Sequence, residues 1–148
     1  MLKSIIAIIV SYAVMFLLFM AIFTGSYIAL GPERVFQTDS YEVSNLWLAL
    51  TLIISFIGCI LAGYLCAAIS KSWRTCQVFA VIIFLLTLLS CISAMKRNPD
   101  APNIRAGDVS YLDAISLAVT PLWLHLVNPV ISGAGVLLGA RMKRRGNA

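Results

Sequence analysis

Residues 120–140, TPLWLHLVNPVISGAGVLLGA, decide the fold. The stretch is apolar, and at 1.5 Å per residue it is long enough to cross about 30 Å of hydrocarbon. Yet it carries the chain's only histidine, His125, an Asn128-Pro129 pair and three glycines. Leucine would fill lipid more simply, so these residues call for a reason. Read as a crossing, the stretch completes a set of four.

The rest of the chain has the same character. Its 148 residues are 61% hydrophobic and 11% charged, with a mean hydropathy of +0.95. Soluble domains carry about a quarter charged residues. So few charges cannot keep a surface of this size in water, which makes the class integral membrane. The length suggests one domain over 1–148, with no separate soluble unit.

Three more apolar runs precede the last. The first, Ser4 to Leu30, has 27 residues and stops at Gly31-Pro32. A signal peptide has an apolar core of about 7–15 residues, so this run is expected to be an uncleaved helix over about 4–30. Residues 31–43, GPERVFQTDSYEV, are expected to form a polar connection. The second helix is placed at 44–70, opened by Ser44-Asn45 as N-caps. A basic link over 71–75 leads to a third helix at 76–96. Residues 97–119 then form a second connection. Within it, Ser110-Tyr111-Leu112-Asp113 resembles a capping box and predicts a short interfacial helix up to Val119. Thr120-Pro121 offers a cap for the fourth helix, 120–140, because proline is accommodated at the first helical position. Residues 141–148 are expected to be a basic tail.

Charge sets the expected orientation. Four crossings put both termini on one side, together with seven cations: Lys3, Lys71, Arg74, Arg141, Lys143, Arg144 and Arg145. The other side holds Arg34, Lys96, Arg97 and Arg105, plus all six acids. The excess of Lys and Arg favours N-in, C-in, with Lys96-Arg97 as the contrary signal. Tyr27, Tyr41, Trp47, Tyr111 and Trp123 lie near the outer boundary and Trp73 near the inner one, as amphipathic rings prefer. Lys71, Arg74 and the basic tail would face anionic lipid head groups, which accounts for the net charge of +5 without nucleic acid as a partner.

Membrane helices associate by close backbone approach and interhelical hydrogen bonds. Ser55, Cys59, Gly63 and Ala67 recur every four residues in the second run, and Gly135 and Gly139 form a G-x-x-x-G in the fourth. The first run carries Ser4, Ala7 and Ser11, then Ala21 and Gly25. Such ridges serve packing within one bundle or between copies. The four cysteines, Cys59, Cys66, Cys76 and Cys91, sit in apolar runs and include no C-x-x-C pair, so they read as small packing residues.

Candidate chemistry centres on the fourth run. His125, Asn128, Ser132, Gly135 and Gly139 are spaced 3, 4, 3 and 4, one stripe of a helix. Pro129 takes away the amide that would bond the carbonyl of residue 125, so a kink is expected there. Depth along the runs nominates Thr24, Ser26, Thr51, Ser55, Thr87, Ser90 and Ser93 as neighbours. The expectation is a polar pocket in the outer half, centred on His125, Asn128, Ser90 and Thr51. Imidazole and carboxamide both need partners in hydrocarbon. Structural glue is the leading role for this stripe, ahead of a ligand or ion pocket, with catalysis last.

Several functions lack their chemistry. No carboxylate lies in any run to relay protons. One histidine cannot hold a haem from both sides, and no cluster of His, Cys and acid suits zinc. No membrane acid orients His125 for nucleophilic catalysis. No cofactor, metal or catalytic residue is therefore expected. Small four-helix exporters, thiol oxidoreductases and glutathione-using enzymes are marked by a first-helix carboxylate, an outer cysteine pair or an arginine-rich helix, all missing here. The general character is that of a small protein of the bacterial inner membrane. The leading function is association, as an accessory subunit or homo-oligomer. The alternative is a small-molecule or ion permease or channel built on His125 and Asn128.

Overall fold

The computed structural model describes residues 2–95 and 117–145. Among the described residues the chain is helical, with no strand. The helices are α1 (Leu2–Leu30), the short α2 (Pro32–Val35), α3 (Asn45–Ser70), α4 (Trp73–Met95) and α5 (Leu122–Arg145). Four of them, α1, α3, α4 and α5, are long and apolar enough to cross a membrane. Their outward faces carry Ile9, Leu17, Ile53, Leu85, Leu89, Leu126 and Val130, all exposed. In water such a surface would drive aggregation; in lipid it is solvated.

Three helices extend beyond the apolar runs, α1 by only Leu2 and Lys3. Helix α4 opens at Trp73 rather than at Cys76, because the Ser72 carbonyl already accepts the Cys76 amide at 3.4 Å. Helix α5 continues to Arg145, so residues 141–145 of the expected tail are helical. Lys and Arg are good helix formers, and cations favour a helix C-terminus through its dipole. Apolarity marks the hydrocarbon, whereas hydrogen bonding sets the helix, and the two limits differ by a turn. The interfacial helix expected up to Val119 falls largely outside the described residues.

Helix α3 begins at Ser44, whose Oγ accepts from the Trp47 amide at 3.2 Å and donates to the Arg34 carbonyl at 2.6 Å. It ends at Lys71, which adopts a left-handed conformation (φ 52°) while its amide reaches the Ala67 carbonyl at 3.0 Å. Ser70 Oγ donates back to the Cys66 carbonyl at 2.8 Å. The α3–α4 link is therefore only Lys71-Ser72.

Helix α3 is the centre of the packing: α5 lies against it most extensively, α1 covers another side, and α4 wedges against both α3 and α5. One core, between Ala7 and Met15 of α1 and the Cys66, Cys76, Phe79 and Ala140 region, fills the end that bears both termini. Small residues dominate it, which brings the helix axes close. That end also holds Lys71 and the cations of α5, and is called here the basic end.

The opposite end has its own core, in which the connection between α1 and α3 is folded rather than merely polar. The Gln37 amide bonds the Glu42 carbonyl at 2.8 Å and the Ser44 amide bonds the Val35 carbonyl at 2.8 Å, with Asp39 turning at φ 56°. This closes a small hairpin that buries Val35, Phe36 and Val43 to within 3% exposure. They pack with Tyr27, Leu48 and Leu124. Residue 119 joins the hairpin in parallel, its amide on the Tyr41 carbonyl at 2.9 Å and its carbonyl on the Val43 amide at 3.2 Å. Trp47 anchors α1 from beneath, with ring centroids 5.9 Å from Phe23 and 6.4 Å from Tyr27. Phe36→Ala empties the middle of this capped end. It should cost about 3 kcal/mol and open residues 37–43 to protease in detergent, while the four long helices keep their circular dichroism.

Candidate functional site

The polar stripe of α5 is part of a seam with α3. A Cβ on Gly139 would overlap the Ile60 carbonyl oxygen, and one on Gly63 would overlap the Val136 carbonyl oxygen. A Cβ on Gly135 would meet the Cys59 Cβ at 2.9 Å and the Phe56 carbonyl oxygen at 3.2 Å. Gly63, Gly135 and Gly139 thus let two backbones touch along two turns, with Cys59 filling the space between. The G-x-x-x-G of α5 is used inside one chain. Ser132, one turn further toward the capped end, is buried and lies against the Cys59 thiol.

Extending this register by a turn puts Asn128 at the level of Thr51 and Leu52 of α3. Thr51 is half-buried there, and Ser55 is buried one turn toward the basic end. Asn128 Oδ1 is buried and has no hydrogen-bond partner. A carboxamide oxygen in that state costs about 1–3 kcal/mol. Pro129, also buried, sits inside an uninterrupted helix and offers no amide to the His125 carbonyl. Two acceptors with unfilled capacity therefore lie within one turn of each other.

His125 is half-buried, and its Nε2 is engaged by the Thr120 hydroxyl. The expected role of Thr120 as a helix cap is thus replaced by a clasp across the first turn, and α5 starts at Leu122. Helix α4 runs antiparallel to α5, with Ala80 and Phe84 nearest Gly133, so Thr87 and Ser90 reach the level of Pro129 and His125. Neither hydroxyl joins the stripe from there. The Thr87 hydroxyl bonds its own helix, to the Ile83 carbonyl at 2.8 Å and the Phe84 carbonyl at 3.0 Å, and Ser90 is exposed. Ser93 lies outside the described side chains. Thr24 and Ser26 belong to α1, which packs on α3 rather than on α5. Of the expected pocket residues, His125 and Asn128 lie one turn apart on α5, Thr51 is half-buried on α3 and Ser90 is exposed on α4.

The basic end has a geometry that composition alone does not give. Lys143 Nζ stands 5.3 Å from the centre of the Tyr64 ring, and the Arg144 guanidinium 5.4 Å from that of Trp73. Arg141 and Arg145 are exposed on the same helical end, as is Arg74 on α4. Thr75 Oγ1 bonds Ser4 Oγ at 3.1 Å, holding the start of α1 against α4. Nearby, Ser11 Oγ is fully buried and lies against the Cys66 thiol. The cysteines are free thiols, all buried. Among the described residues, no three His, Cys, Asp or Glu side chains come together as metal ligands.

Among the described residues, then, four helices long and apolar enough to cross a membrane are organised around a glycine seam. No protein-family model, curated protein or solved structure matches the chain.

Two backbones in contact leave no room for a methyl group. Gly139→Ala and Gly63→Ala should each destabilise the bundle by about 2 kcal/mol or more, through forced separation of α3 and α5. Gly25→Ala on α1, where an added Cβ meets nothing within 4 Å, should leave stability unchanged. Thermal unfolding in one detergent compares all three. Equal effects at the three sites would show that α3 and α5 do not touch along these glycines.

Proposed function

We propose that this is a non-enzymatic, multi-pass membrane protein that acts by association, as an accessory subunit or as a homo-oligomer. The observation that carries this reading is a ridge on α1. Ala21, Gly25 and Ala29 recur every four residues and are all exposed, and among the described residues nothing lies within 4 Å of a Cβ added at Gly25. Small residues at that spacing allow a second helix to approach closely, which is what drives association where lipid is as apolar as leucine. The small residues of α3 and α5, by contrast, are already occupied with each other.

Both termini are proposed to be cytoplasmic, in the inner membrane of a bacterium. The approach to the last crossing would lie along the interface as a short helix. Support comes from the basic end, which gathers Lys71, Arg74, Arg141, Lys143, Arg144 and Arg145, whereas Glu33, Asp39 and Glu42 lie at the other end. A reporter fused after Ala148 should read cytoplasmic. An external reading would reverse the topology.

Gly25→Leu should fold at normal yield and reduce, by about tenfold, the oligomer or co-purifying membrane protein recovered after mild detergent extraction. Recovery of wild-type monomer alone, or an unchanged complex in the variant, would remove the association reading.

The second reading, a permease or channel at the α3–α5 seam, is favoured by one observation, the unpartnered Asn128 Oδ1. Asn128→Leu separates the two. The association reading predicts unchanged or higher stability, since the desolvated acceptor is gone, with no loss of a conductance or uptake signal. A transport site predicts that the signal disappears while the folded yield is kept.

A further inference from the structure

We propose that the basic end carries a specific site for an anionic phospholipid with two phosphates joined through a glycerol bridge. This rests on the membrane-spanning fold and is independent of the association reading. Two clefts adjoin there. One, of about 410 Å³, is lined by Lys71, Lys143 and Arg144 and floored by Ala67 and Ala68. The other, of about 350 Å³, lies between Trp73, Arg141, Arg144 and Arg145. Each is large enough for a phosphate and the glycerol attached to it. Arg144 lines both, so anions in the two clefts would be separated by little more than one guanidinium.

Three features distinguish this from a loose basic tail. Helix α5 runs unbroken to Arg145, so its cations project from a fixed scaffold rather than from a flexible chain. Two of them are held by aromatic faces, Lys143 over Tyr64 and Arg144 over Trp73, which limits the side-chain freedom that binding would otherwise remove. Lys71 comes from a different helix and is set by a left-handed cap at φ 52°, so the first cleft is closed from two sides.

Among the described residues, no acid stands at this end. The described acids lie at the opposite end of the helices, Glu33 in α2 and Asp39 and Glu42 in the hairpin. Five cations around two clefts exceed what two phosphate monoanions neutralise, and Arg144 can donate to both through its planar fork. Trp73 and Tyr64 border the same region, at the depth where such rings meet head groups. A basic pocket between helix ends at the membrane surface is a recognised lipid-binding geometry. Ala67 and Ala68 give the first cleft an apolar floor.

The test uses the full chain in zwitterionic nanodiscs, with bound lipid counted by native mass spectrometry and the unfolding midpoint followed in parallel. Diphosphatidylglycerol should be retained as one copy and raise the midpoint, with an apparent affinity about tenfold or more above that of phosphatidylglycerol at equal total charge. Arg144→Gln should lower that affinity about tenfold. Arg74→Gln removes the same charge from the same end but lines neither cleft, so it should stay within about twofold. Lys71→Gln, on the other helix, gives the same answer by a second route should Arg144→Gln lower the yield; a loss of about fivefold is expected. Equal losses for Arg74→Gln and Arg144→Gln would reduce the effect to surface charge and overturn the site. Equal binding of phosphatidylglycerol would overturn the two-phosphate assignment. Stabilisation by sodium pyrophosphate to the same degree would overturn a lipid as the ligand.

Discussion

The contact of two backbones along Gly63, Gly135 and Gly139 is the constraint on which the other packing depends. Without a hydrophobic difference between lipid and protein interior, helices need close approach to hold together. Here α3 and α5 approach until carbonyl oxygens occupy the space of missing methyl groups. Everything else is arranged around that pair. Helix α4 closes against both members, and its Ala80 lies near Gly133. Helix α1 rests on the far side of α3, where Phe19 occupies the space above Gly58. The cysteines fit the same logic, as small side chains that neither separate the helices nor leave large voids.

The two ends of the bundle are built on different principles. At the capped end, backbone hydrogen bonds tie a hairpin to residue 119 and bury Val35, Phe36 and Val43 beneath it. Among the described residues, the basic end has no such cover. Serine and threonine hydroxyls hold the helix starts and ends in place, and aromatic rings hold the cations. One end is closed by its own chain, and the other presents ordered charge.

How much of this could be read from the residues follows from what each pattern encodes. The four apolar runs are legible because hydrocarbon thickness sets their length. Ser44 was legible as a cap because its chemistry is local. The seam was half legible: the stripe from His125 to Gly139 and the ridge around Gly63 stand out by spacing. That these two ridges face each other depends on α3 and α5 lying side by side in parallel, which no local pattern encodes. Ser90 shares the depth of the stripe and is exposed, since depth along a helix says nothing about which way a side chain turns. The hairpin was missed because GPERVFQTDSYEV looks polar as a whole. Its signal lay in Val35, Phe36, Tyr41 and Val43, apolar residues on either side of a turn. The basic clefts were legible as charge and not as shape, because cation–ring stacking links residues far apart in sequence.

The seam also bears on how such a chain would be made. Of the four long helices, α5 is the least apolar, so it partitions into hydrocarbon least readily by itself. Its most extensive partner, α3, leaves the ribosome first and brings the groove around Gly63 into which α5 settles. Residue 119, hydrogen-bonded to the hairpin just before α5 begins, holds the incoming helix at the right end of that groove. The last crossing would then be drawn into place by its neighbour, which makes it the step of biogenesis most sensitive to changes elsewhere in the chain.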